Sequence, residues 1–90
     1  MSLAFYSDAA EKTLRELTRS EQAAVEMVRR RLEEQPDQPS ARPLPDRGTR
    51  SATYAYELLP EQTGGRGISV VYRYAENLDA VLILWLIAGP

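Results

Sequence analysis

Residues 68–88 read ISVVYRYAENLDAVLILWLIA, and the way this stretch alternates decides the fold. Its first eight residues have period two, with Ile68, Val70, Tyr72 and Tyr74 on one side of an extended chain and Ser69, Val71 and Arg73 on the other. A turn is predicted over Glu76 to Asp79. The following residues, Ala80 to Ala88, are apolar on both sides, because Leu82, Leu84 and Leu86 are as apolar as Val81, Ile83, Trp85 and Ile87. The run is half the length of roughly 20 residues that a membrane-spanning helix needs, so it reads as a strand. A strand apolar on both faces is either central and doubly covered or has one face awaiting a partner.

Working upstream, residues 49–59 (TRSATYAYELL) alternate as well and place Tyr54, Tyr56 and Leu58 on one side. Pro60, Gly64, Gly65 and Gly67 lie between the two alternating runs, which predicts a hairpin with a flexible tip. Directly opposed residues point the same way, so pairing the two tyrosine-bearing sets makes one apolar face for helices to cover. The other face then carries Thr53, Ala55, Glu57 and Leu59 beside Ser69, Val71 and Arg73, with Glu57 and Arg73 placed to pair. Before these strands, residues 36–48 (PDQPSARPLPDRG) hold four of the six prolines and read as a surface connector pinned by Leu44.

The N-terminal third is helical in pattern. Residues 3–6 (LAFY) form a short opening strand, and Ser7 offers an N-cap hydroxyl ahead of Asp8 and Glu11. A first helix is predicted from Asp8 to Leu17, with Ala10, Leu14 and Leu17 on one face. Thr18 and Glu21 fit a capping box, so a second helix restarts at once and runs to about Gln35 with Val25, Val28 and Leu32 as its stripe. So short a junction predicts an αα-hairpin. The class is α+β, in the order β-α-α-β-β-β, with an antiparallel sheet packed against the N-terminal helical hairpin.

Composition bounds what such a fold can do. Ninety residues, 43% apolar and 27% charged, make a single domain spanning 1–90. Eleven basic against thirteen acidic groups give a net charge of −2, which argues against indiscriminate binding of phosphate backbones. With no Cys and no His, thiol catalysis, disulfides and the usual zinc ligand sets are excluded, and neither metal nor other cofactor is expected. The N-terminus has no basic segment followed by an apolar one, so a cytoplasmic protein without membrane attachment is expected.

Each chemical-looking cluster also has a plainer reading. Arg29, Arg30 and Arg31 diverge around a helix beside Glu26, Glu33 and Glu34 and read as a solvated face. The four strand tyrosines fall on the core side rather than forming a base-stacking platform. The TGGRG turn lacks the Lys-Ser/Thr ending of a phosphate-binding loop, so Arg66 reads as a solvated turn residue. What exceeds the plain reading is the apolar surplus of the last strand: Trp85, Leu82, Leu84 and Leu86 are the candidate binding surface.

The chain resembles the RelE/ParE superfamily of bacterial type II toxins along nearly its whole length. The resemblance rests on AAEKTLREL at 9–17, LEEQP at 32–36, LPDRG at 44–48 and GRGISVVYRYAENLDAVLILWLIAG at 65–89. It implies an antitoxin partner and a target that is the ribosome, where RelE-like members cleave messenger RNA, or gyrase, which ParE-like members poison. The basic positions of the ribonucleases match Ala55, Glu57 and Ser69, and their strand tyrosine matches Tyr72; the basic tail has no match. The expectation is therefore a toxin homologue that acts through protein binding. The alternatives are an mRNA endoribonuclease with a relocated site, its candidates being Arg73, Arg66 and Glu57, and a non-toxic homodimeric remnant.

Overall fold

Two caps start the helical half of the chain. Ser7 is extended and its Oγ accepts the Ala10 N–H at 3.1 Å, opening helix α1 (Asp8–Glu16). Thr18 and Glu21 form the reciprocal capping box, each side chain holding the other's backbone N–H, and open helix α2 (Arg19–Glu34). The computed structural model describes residues 2–36, 38, 41–44 and 52–89. Its strands are β1 (Leu3–Tyr6), β2 (Arg42–Leu44), β3 (Ala52–Leu58), β4 (Ile68–Ala75) and β5 (Ala80–Ala88).

The five strands form one sheet in the order β1-β5-β4-β3-β2. It is antiparallel except at one edge, where β1 runs parallel to β5. Nearly the whole chain separates those two strands, so no tight turn dictates their relative direction. The proline-rich connector supplies the other edge, β2, which tolerates Pro43 because an edge strand has a free side. Residues 45–51, and with them the start expected for β3, lie outside the described residues, as does the pinning expected of the Leu44 side chain.

The β3–β4 register is the one parity predicts: Tyr54 faces Tyr72, Tyr56 faces Val70 and Leu58 faces Ile68. These side chains meet Ala10, Ala24, Val25, Val28 and Leu32 from the helices, and Leu17 from the junction between them, in one core. The junction between β3 and β4 is not the open, flexible tip expected. Pro60 starts a one-turn helix, α3 (Pro60–Thr63), and Gly64 ends it at φ 71°, a left-handed conformation that glycine adopts without steric cost. Thr63 is buried there; its Oγ1 donates to the Arg66 carbonyl at 2.7 Å and accepts from the Gly65 N–H at 3.1 Å.

Two further expectations are corrected. Glu57 faces Ser69, whereas Arg73 faces Thr53, so the expected Glu57–Arg73 pair does not form. Four residues separate those rows, about 13 Å along a strand. On β5, Val71 faces Trp85 while Tyr72 faces Ile83, leaving Leu84 as an extra residue in a β-bulge. The bulge resets the alternation. Val81 and Ile83 point into the core before it, and Leu86 does so after it, only 5% exposed. Leu86 therefore belongs to the core and not to the binding surface.

Candidate protein-binding face

The helices contribute to the core on one side of the sheet, and the opposite side holds the candidate site. On its β1–β5 half, Leu3, Phe5, Leu82, Trp85 and Ile87 all point outward with 39–59% of their surface exposed. Phe5 sits directly beside Leu82 in register, so β1 widens the apolar strip instead of closing it. Sequence reasoning missed Leu3, Phe5 and Ile87. The signal for the first two was their alternation with Ala4 and Tyr6, which face the core. Leu84 is half-buried, and its carbonyl accepts the Ser7 hydroxyl at 2.6 Å, which ties the bulge to the start of α1.

The β4–β3–β2 half is polar around a small apolar floor of Val71 and Ala55. Arg42 and Ser69 both hold Glu57, at 3.1 Å to Oε1 and 2.6 Å to Oε2 respectively. This exposed pair adds little stability, but it cancels the charge of Arg42. Arg73 is different. It lies half-buried between Thr53 and Leu82, and its Nε is buried with no hydrogen-bond acceptor among the described residues.

Arg66 is removed from this face and is not simply solvated. Its Nε and Nη2 reach Glu21 at 3.1 and 3.2 Å, and its backbone N–H donates to the same carboxylate at 3.0 Å. Glu21 is 1% exposed and also accepts the Thr18 N–H. Chiefly the Arg66 guanidinium, then the backbone donors, hold this carboxyl at about 2, well below its ordinary 4.5, against the opposing effect of burial. Two of the three arginines at 29–31 are likewise engaged, while Arg30 is exposed: Arg29 bridges Glu26 and Glu33, and Arg31 donates to the Tyr56 hydroxyl at 3.1 Å. Burial, then the bond donated to Glu26, pushes the Tyr6 hydroxyl pKa up.

The basic positions that the resemblance maps, Ala55, Glu57 and Ser69, lie together on the outer face, where Glu57 faces Ser69 and accepts its hydroxyl at 2.6 Å, but none of the three is a cation. Tyr72, three residues beyond Ser69, is fully buried on the core side and stacks on Tyr54. Phosphodiester cleavage needs cations aimed at the developing phosphorane. At the mapped row stands a carboxylate, Glu57, already occupied by an arginine and a serine. Among the described residues, no three or more Asp or Glu side chains are grouped to hold a metal ion, and no helix is long and apolar enough to cross a membrane.

This mixed sheet backed by a helical hairpin is the RelE-like toxin fold. It is similar to the crystal structure of the isolated E. coli RelE toxin, with a TM-score of 0.78 and 14% identity over 100% of this chain and 86% of that one. It is also similar to a chain of the intact E. coli RelBE toxin–antitoxin complex, with a TM-score of 0.74 and 16% identity over 100% of this chain and 99% of that one. No family model matches the sequence, and no curated protein matches it significantly.

Proposed function

We propose that this chain is a toxin-like member of a toxin–antitoxin pair that acts by binding protein through the outer face of its sheet. The observation that carries the reading is the agreement of fold over the full length of the chain with a toxin also solved in complex with an antitoxin. The apolar half of the outer face supports a protein partner, since covering apolar surface stabilises a complex by about 25 cal/mol per Å². Ala55, Glu57 and Ser69 argue against ribosome-dependent cleavage, because they supply neither a cation nor a free acid–base pair at the mapped row.

Induced expression in a bacterial host, with and without the neighbouring gene, tests the reading together with incubation of purified protein, ribosomes and a defined transcript. Growth arrest relieved by the neighbour, with an intact transcript, is the expected result. No arrest would identify a non-toxic remnant. Transcript cleavage abolished by Arg73→Ala, in a variant that melts like the parent, would instead establish a relocated ribonuclease.

A further inference from the structure

The outer face leaves one chemical demand unmet. Arg73 has no ion pair among the described residues, its Nε lacks an acceptor, and its neighbour across β5 is Leu82, with Phe5 one strand further on. A guanidinium partly withdrawn from water without an acceptor is unfavourable, and a carboxylate meets it with two parallel hydrogen bonds. Arg42 does not compete for that group, because Glu57 already neutralises it.

We propose that Arg73 anchors a carboxylate side chain of an acidic amphipathic helix that lies across the strands and covers Leu82, Phe5 and Trp85. The proposal rests on the reading of this face as the partner-binding surface and adds the chemistry of the partner. Dimensions favour a helix. Neighbouring strands are about 4.8 Å apart, so Leu82 and Phe5 lie about 4.8 and 9.6 Å from the Arg73 row. Residues i+3 and i+7 of a helix lie about 4.5 and 10.5 Å along its axis from residue i. An acid at i thus sits over Arg73 while apolar residues at i+3 and i+7 sit over Leu82 and Phe5.

A nucleic acid fits less well. Backbone binding gains from several cations tracking successive phosphates. Among the described residues of this face Arg73 is the single cation without an acidic partner, and the carboxylate of Glu57 lies two rows away.

Selection from a random dodecapeptide display library on the wild-type protein, Arg73→Gln, Arg73→Met and Trp85→Ser tests this, with melting curves verifying that each variant is folded. Wild type should enrich peptides with Asp or Glu followed by apolar residues at the third and seventh places. Both Arg73 variants should keep the apolar preference and lose the acidic one, and Trp85→Ser should weaken every selected peptide. Changing the acid of a selected peptide to its amide should weaken binding to wild type about tenfold and to Arg73→Gln less than about twofold. Equal acid preference in wild type and Arg73→Gln, with binding still lost in Trp85→Ser, would overturn the anchor alone. Peptides indifferent to Trp85→Ser, or no binders at all, would overturn the face itself. Dodecauridine binding that Arg73→Gln abolishes would reassign the cation to nucleic acid.

Discussion

Replacing Glu21 by Gln should lower the thermal midpoint of this protein by about 10–20 °C at pH 7. The carboxylate accepts four N–H bonds, from the Thr18 backbone at 2.9 Å, the Arg66 backbone at 3.0 Å, and Arg66 Nε and Nη2 at 3.1 and 3.2 Å. An amide keeps one acceptor oxygen and turns an N–H donor toward another donor. The magnitude follows from the donors left without an acceptor. A buried donor that loses its partner costs about 1–3 kcal/mol, and the 44% exposure of the Arg66 side chain lets water meet part of the demand, so about 2–3 kcal/mol remains. Each kcal/mol is roughly 4–8 °C for a domain of this size. Because the folded pKa is depressed, the stabilisation is complete above the ordinary carboxylate value and disappears as pH falls from about 5 to 2. Thermal melts followed by circular dichroism across that range should show a steep loss in the parent and a shallower one in Glu21→Gln. Some slope should persist, since the Glu26 and Asp79 carboxyls are also lowered. Arg66→Met should cost less than Glu21→Gln, as the backbone bond survives, and should add little in the double variant. A Glu21→Gln midpoint within about 3 °C of the parent, or fully additive losses, would refute the clamp.

Four further substitutions test the packing. Leu86→Ala should cost about 2–5 kcal/mol in urea denaturation, whereas the adjacent Trp85→Ser should cost less than about 1 kcal/mol, since the bulge turns one inward and the other outward. Ser7→Ala should cost about 1–2 kcal/mol, toward the upper end for an N-cap, because the hydroxyl also donates to the Leu84 carbonyl. Amide exchange at Ala10 should rise with it. Gly65→Ala would place a methyl carbon 2.8 Å from Glu21 Oε2, so it should lower the melting point in the parent and do so much less after Glu21→Ala, which removes the atoms it meets.

Local physics made much of this fold legible from the sequence. The capping box at Thr18 and Glu21 and the cap at Ser7 depend on residues three apart, and the β3–β4 register depends on a period of two that any slip would invert. What was not legible depends on distant partners. Glu21 was readable as a cap, but nothing near it announces Arg66, forty-five residues later. The glycines and proline of the junction between β3 and β4 are turn formers, and by themselves they predict a loose tip. In place, Pro60 begins a helical turn, and the backbone N–H of Arg66 in the bend beyond it finds its acceptor on α2.

The candidate face shows the same division in one strand. Alternation assigned Leu82, Leu84 and Leu86 to a single side, and a uniformly apolar strand offers no pattern by which to detect a bulge. One inserted residue exchanges the sides beyond it: Trp85 and Ile87 join Leu82 outside, and Leu86 goes in. The bulge lies where the Leu84 carbonyl meets Ser7, so the cap that starts α1 touches the strand at the register shift that exposes the tryptophan. Ser7→Ala therefore separates two accounts of the face. If the bulge is held by that hydroxyl, the Trp85 fluorescence maximum should shift as the strand loosens; if β4 pairing alone holds it, only α1 should fray and the fluorescence should stay that of the parent.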